Sequence, residues 1–353
     1  MDMAAAKTAV DPRRYFESVR TDSDAPEHEP VCLYLETTNR CNLLCTTCPR
    51  TYEELEPPSD MSWELFTSIV DQFPKIERVV LHGVGEPMMV AELPEMVKYL
   101  KARGVYVLFN TNGTLMREKK CRELIEAGLD EMRISLDAAE PKAFKAVRGR
   151  DLFQRILRNV RNFVLLKQEM KAEKPRLSLW LTGLRETLEQ LPAFIRLAYE
   201  IGGHEVHLQR LVYFEKSPIG LARPESSLFE SADAIEGKYL LEAEKTAAEL
   251  GVLFDASGAG EPEASLRRLE GDAPWSLCRR PWSLMYFTAH GRALPCCIAP
   301  FSLRGYANFT LGDANTAPLR DIWNGAEYRS FREALLSENP PQVCAGCGLR
   351  WSL

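Results

Sequence analysis

Three cysteines crowd into eight residues of this 353-residue chain, as Cys41-Asn-Leu-Leu-Cys45-Thr-Thr-Cys48. Thiolates spaced this tightly on one loop are metal ligands. A 4Fe-4S cube has four irons, so three sulfurs leave one iron open to an outside chelator, whereas an electron carrier usually closes the cube with a fourth Cys. Zinc would normally ask for a fourth Cys or His nearby, and the loop offers none. Near the other end stand Cys278, Cys296, Cys297, Cys344 and Cys347. Four thiolates from that group would make a closed site suited to electron transfer, although the pair Cys344-Ala-Gly-Cys347 would serve a zinc ribbon equally well. Neighbours on a strand point to opposite faces, so only one of Cys296 and Cys297 should face a metal. Cys32, within a strand, and Cys121, in a Lys/Glu-rich helix, read as buried or incidental thiols.

The elements that must position these groups follow a regular beat. Apolar runs predict strands at 31–35, 78–81, 105–109, 131–136, 177–181 and 205–211. Helix-like segments predict helices near 63–73, 92–102, 118–127, 153–168 and 188–201. Six strands alternating with helices imply a parallel sheet with right-handed crossovers, curved into a partial (β/α)6 TIM-like barrel. Reactive groups of such barrels sit beyond the C-terminal ends of strands. There lie Cys41 to Cys48, Gly85-Glu86-Pro87, Thr111-Asn112-Gly113 and Ser135-Leu136-Asp137. Residues 1–29 read as a flexible lead-in, 30–213 as the barrel, 214–274 as a helix and linker, and 275–353 as a small cysteine-rich domain.

Composition removes several function classes. A formal net charge of -6 argues against a nucleic-acid binder, which concentrates Lys and Arg. No stretch approaches the ~18 apolar residues of a membrane helix, and the N-terminus lacks a signal-peptide core. A cytoplasmic location is expected, and ten cysteines in a long chain point to metal ligation rather than disulfides.

The C-x3-C-x2-C loop, preceded by Glu36-Thr-Thr-Asn39-Arg40, resembles the radical S-adenosylmethionine (SAM) superfamily over roughly residues 30–213. The resemblance implies that Cys41, Cys45 and Cys48 hold a 4Fe-4S cluster whose open iron binds SAM. Reductive cleavage of the sulfonium would give a 5'-deoxyadenosyl radical that takes hydrogen from an organic substrate. His82-Gly83-Val84-Gly85-Glu86-Pro87 resembles the family's GGEP-type motif with Val84 in place of the first glycine of the usual pair, which would place Gly85 and Glu86 at the methionine ammonium. Asn112 and Ser135 would line the cofactor pocket, and Arg148 would meet the methionine carboxylate. Asn112-Gly113 is also a good turn, and Arg148 could equally be a solvated helix-end cation. His82 reads as a packed residue.

Cys278-x12-Gly291-x4-Cys296, with the terminal Cys344-x2-Cys347, resembles the twitch/SPASM auxiliary domain over 275–353. That implies one auxiliary 4Fe-4S cluster held by Cys278, Cys296, Cys344 and Cys347, and the glycine spacing favours Cys296 over Cys297. A net oxidation or rearrangement of a small molecule is expected, because about thirty residues before the first strand cannot hold a leader-peptide recognition domain. A peptide or protein maturase is the alternative, and a non-catalytic iron-sulfur or zinc protein is a third reading from a different class. An electron donor such as flavodoxin or ferredoxin would be needed as a partner.

Overall fold

Strand residues here alternate between two unlike surroundings. Leu33 and Leu35 of β1 (Cys32–Leu35) pack with the helices, while Cys32 joins Val80, Leu108 and Leu284 in a separate cluster on the other face of the sheet. A sheet covered on one face and curved around a polar interior explains both. The structure is a computed structural model that describes residues 23–213, 218–228, 234–256, 275, 278–302, 305 and 309–345. Cys347 lies outside the described residues.

Six parallel strands form the barrel wall in sequence order: β1, β2 (Arg78–Val80), β3 (Tyr106–Thr111), β4 (Glu131–Ser135), β5 (Arg176–Gly183) and β6 (Glu205–Arg210). The crossovers carry α1 (Trp63–Asp71), α2 (Leu93–Lys101), α3 (Glu118–Glu126), α4 (Pro141–Arg148), α5 (Phe153–Glu169) and α6 (Leu191–Glu200). The partial barrel is therefore as the strand–helix beat predicts. Local signals start and stop the helices: the Ser62 hydroxyl accepts the Leu65 N–H at 3.1 Å to cap α1. Gly149, with φ +73°, turns the chain out of α4 in the left-handed conformation that glycine adopts without cost.

Both edges of the barrel are extended. Helix α7 (Ala234–Leu250) leads into β7 (Leu253–Ala256), which pairs parallel with β6. At the opposite edge β8 (Leu284–Phe287) pairs parallel with β1, and β9 (Arg292–Leu294) and β10 (Gly312–Asp313) follow antiparallel. The result is one ten-stranded sheet running β10-β9-β8-β1-β2-β3-β4-β5-β6-β7. The small C-terminal domain thus shares backbone hydrogen bonds with the barrel, and its α8 (Leu319–Trp323) and α9 (Ala326–Leu336) pack on the same apolar core.

Residues 23–29, the end of the lead-in, are held on that domain. The Trp282 and Trp323 indoles donate to the Ser23 and His28 carbonyls at 2.7 and 2.9 Å. Buried Arg332 donates to the Asp24, Trp323 and Pro281 carbonyls and lies over the Trp323 ring at 4.2 Å. Residues 1–22 lie outside the described residues. No helix among the described residues is long and apolar enough to cross a membrane.

Candidate active site

The three-cysteine loop leaves β1 at the C-terminal rim of the barrel and is clamped from both sides. Thr46 N–H donates to the Val147 carbonyl at 2.8 Å, and Glu86 N–H donates to the Arg40 carbonyl at 2.8 Å. A Cβ on Gly85 would sit 2.1 Å from the Thr38 carbonyl oxygen, and one on Gly149 2.3 Å from that of Leu44. Both glycines are therefore required by close approach of two backbones. Below the loop, Glu36 takes the Val84 N–H at 2.9 Å and the Tyr286 hydroxyl at 2.8 Å, tying cluster loop, glycine loop and β8 together. Burial pushes the Glu36 carboxyl up to about 7.

The residues expected to serve a cofactor meet around this loop. The Asn112 amide lies 3.8 Å from the Cys41 sulfur and donates to Asn42 at 2.9 Å, while its oxygen accepts the Thr114 N–H and hydroxyl. Arg148 Nη1 lies 3.6 Å from the Cys45 sulfur and Nη2 2.6 Å from the Asp137 carboxylate. Burial alone would favour losing the Arg148 proton, but Asp137 and Cys45 more than reverse this and hold its pKa up. Arg148 is thus a buried guanidinium turned toward the cysteines, not a solvated helix-end cation. Asp137 has φ +63°, a costly conformation for a residue with a Cβ, and also accepts the Thr182 N–H at 2.7 Å. Ser135 stands half-buried at the end of β4.

Glu86 is buried and held by three donors. One of its oxygens accepts the Thr111 hydroxyl and the Met88 N–H, the other the Asn112 N–H, at 2.6, 3.0 and 2.7 Å. Burial raises its pKa against these three donors. Its carboxylate is therefore committed to fixing Asn112.

The donor set suits a cluster. Burial pushes the Cys48 thiol up to about 12, with Cys45 beside it adding to the shift, and raises Cys41 as well. Three such thiolates coexist only around strong positive charge, which a multi-iron cube supplies. Among the described residues no three His, Cys, Asp or Glu side chains converge as a single metal ion requires.

At the other edge, Cys278, Cys296, Cys297 and Cys344 are all half-buried beside Arg280 or the core. Arg280 Nη1 donates to the Cys297 sulfur at 3.0 Å. Burial disfavours the Arg280 charge, but Cys297, Tyr34, Cys296 and Cys278 around it hold its pKa up. The position of the fourth expected ligand, Cys347, is outside the described residues.

Sequence reasoning missed a row of side chains across the barrel face. In register with Ser135 on β4 stand Trp180 on β5, His207 on β6 and Asp255 on β7. The Trp180 and His207 rings stack at 4.0 Å, Arg133 lies over Trp180 at 4.5 Å, and His207 Nδ1 meets Asp255 at 2.5 Å. Beneath the row, Glu131 binds Arg133 and Arg176 at 2.6 and 3.1 Å. Burial would raise the Glu131 pKa, yet these arginines and Arg78 lower it to about 2. His82, beside this row, has a buried Nδ1 without a partner among the described residues, and burial together with Arg133 lowers its pKa to about 4. Alternating polar positions on β4, β5 and β6 were the available signal, but only the pairing register shows that they align. Arg185 donates to the Ser227 carbonyl at 2.9 Å, and Arg210 is buried on the opposite pleat from His207.

Comparison with known proteins agrees with this geometry. The chain is 29% identical over 352 residues to the mycofactocin maturase MftC of Mycolicibacterium smegmatis, covering 97% of this chain and 80% of that protein. It is 26% identical to a PqqA peptide cyclase of Xanthomonas campestris, covering 91% and 80%. Two further relatives, at 31% and 26% identity, align over only 48% and 57% of their own length. Among solved structures, Streptococcus suis SuiB bound to its precursor peptide SuiA has a TM-score of 0.63 at 15% identity, covering 93% of this chain and 72% of that one. Residues 35–198 match the Radical SAM superfamily and residues 278–348 the SPASM iron-sulfur cluster-binding domain. With its cysteine loop, glycine loop and Arg148 gathered at one rim of a partial barrel, and its second cysteine group on the adjoining domain, the chain belongs to the radical SAM superfamily.

Proposed function

We propose that this chain is a radical SAM enzyme that modifies a peptide. The observation that carries the peptide is alignment along nine-tenths of the chain, through both domains, with a protein named as a peptide cyclase. The expectation of a small-molecule substrate rested on the length of chain before β1, which does not bear on what the barrel holds, and it yields to this reading.

Cys41, Cys45 and Cys48 would hold the SAM-binding 4Fe-4S cluster, and Cys278, Cys296, Cys344 and Cys347 one auxiliary cluster. The first, with SAM bound, would supply one-electron cleavage of the sulfonium to a hydrogen-abstracting 5'-deoxyadenosyl group. The chain's own residues do the rest. Asn112, fixed by Glu86, donates beside Cys41. Arg148, aimed by Asp137, presents a guanidinium to the methionine carboxylate, while Gly85 lets the backbone approach the ammonium. Cys296 is preferred to Cys297 on its spacing from Gly291, and Arg280 donates to Cys297. Trp180, His207 and Asp255 line the barrel at the level of Ser135 and face the substrate. The Asp255 carboxylate fixes the His207 proton on Nδ1, so that Nε2 is the basic nitrogen.

The test is anaerobic reconstitution followed by dithionite reduction with SAM. Formation of 5'-deoxyadenosine, abolished by Cys41→Ala, is expected. Equal product from that variant would sink the assignment of the cleaving site. The peptide is tested by mass spectrometry on short peptides encoded beside the gene. A substrate-dependent mass change confined to small metabolites would overturn that part alone.

A further inference from the structure

Helices α4 and α5 carry a charge distribution opposite to that of the rest of the molecule. Between residues 141 and 169 lie eight Lys and Arg against Asp151 and Glu169, so this segment carries +6 and the other residues, in a chain of -6, together carry -12. Arg148 turns inward to Cys45, and Lys167 donates to the Pro175 carbonyl. The other six, Lys142, Lys145, Arg150, Arg155, Arg158 and Arg161, are exposed. None of these six has an acidic partner among the described residues, whereas Arg122 on the neighbouring α3 is paired with Glu118 and with Glu169 at the far end of α5. Arg155, Arg158 and Arg161 recur every three residues on α5 and span about 9 Å along its axis.

This basic surface adjoins the cysteine loop. Phe144 of α4 and Phe153 of α5 pack with ring centroids 5.7 Å apart, which joins the two helices into one face. The C-terminal end of α4 is bound to the loop by the Thr46 to Val147 hydrogen bond and by the Gly149 contact with Leu44. Leu44, which lies between Cys41 and Cys45 in sequence, is 45% exposed there. An apolar side chain on the cluster loop, flanked by cations without an acidic partner among the described residues, is a surface built for an acidic partner that must come close to the loop.

We propose that Lys145, Arg150, Arg155, Arg158 and Arg161, with Leu44 at their margin, dock an acidic one-electron carrier protein of the flavodoxin or ferredoxin kind. The reduced carrier loses one electron, and the oxidised cluster held by Cys41, Cys45 and Cys48 gains it. No proton or group is transferred. The proposal rests on the function proposed above, and the experiment separates the two.

The reconstituted full-length protein and the charge-reversed variant R155E/R158E/R161E are compared, with Lys98→Glu on α2, a helix that packs on α3 rather than on α5, as a control. Binding of a purified flavodoxin is read from its flavin fluorescence, and 5'-deoxyadenosine formation is measured with reduced flavodoxin and, separately, with dithionite. The triple variant should bind flavodoxin at least tenfold more weakly and lose flavodoxin-driven product to the same degree. Its dithionite-driven rate should stay within twofold of the parent. Binding by the parent should weaken at least tenfold between 50 and 500 mM salt. Unchanged flavodoxin affinity in the triple variant overturns the proposal, as does binding of phosphatidylserine vesicles or a single-stranded oligonucleotide that flavodoxin fails to displace. Absence of 5'-deoxyadenosine with dithionite would count against the proposed function, while the binding measurement still decides the surface.

Discussion

Gly85 and Glu36 show how much of the site depends on atoms that touch no cofactor. A methyl group at Gly85 would have to occupy space 2.1 Å from the Thr38 carbonyl oxygen and 2.7 Å from that of Arg40. Gly85→Ala should therefore push the cluster loop outward. Iron content after reconstitution should fall, and SAM affinity should drop at least tenfold in equilibrium dialysis. Glu36 makes a pH-dependent contribution of definite sign. Its carboxyl titrates near 7 when folded and near 4.5 when free, so between those values the folded state holds the extra proton. Stability should fall as pH rises from about 4.5 to 7, by about 3 kcal/mol for a shift of this size, and level off above. Glu36→Gln cannot titrate, and urea melts from pH 5 to 8 should show a slope flattened relative to the parent. An unchanged slope would assign the dependence to another group.

Strands β4 to β7 place four side chains from distant parts of the sequence on one line, and the line works as a unit. Trp180 fills the gap between Arg133 and His207, so Trp180→Ala should let both neighbours move and lower substrate modification at least tenfold. Dithionite-driven 5'-deoxyadenosine formation without substrate should remain within twofold, because the Trp180 side chain meets Ser178, Arg133 and His207 rather than a cysteine. Most of these elements were legible in the sequence. The apolar runs around Leu33, Val79, Val107, Ile134, Leu179 and Val206 marked the six barrel strands, and the polar motifs fell at their ends as expected. Besides the alignment of this row, two features of the barrel were not legible. The segment 141–148 carries its apolar signal on only Phe144 and Val147, too few to show a helix, so α4 was hidden. The commitment of Glu86 to Asn112 was hidden as well, because it depends on the spacing of two strand ends rather than on any local pattern.

Across the whole molecule, the C-terminal domain depends on a short stretch from the other end of the chain. Removing residues 23–30 would leave the Trp282 and Trp323 indoles and one Arg332 donor without acceptors in buried surroundings, each at a cost of about 1–3 kcal/mol. The shortened protein should melt several degrees lower in calorimetry, and near-UV signals from the two tryptophans should change first. Composition could not have shown this, because SDAPEHEP is polar and acidic like many unstructured leads, and its hydrogen bonds are made by backbone carbonyls. The pairing of β8 with β1, Cys32 against Leu284 through Leu35 against Phe287, has a practical consequence for anyone recombining such proteins. A terminal module borrowed from a relative could not simply be spliced on through a spacer. It would have to arrive with a strand of matching pleat and length, because the seam between the two halves is a row of peptide groups rather than a tether.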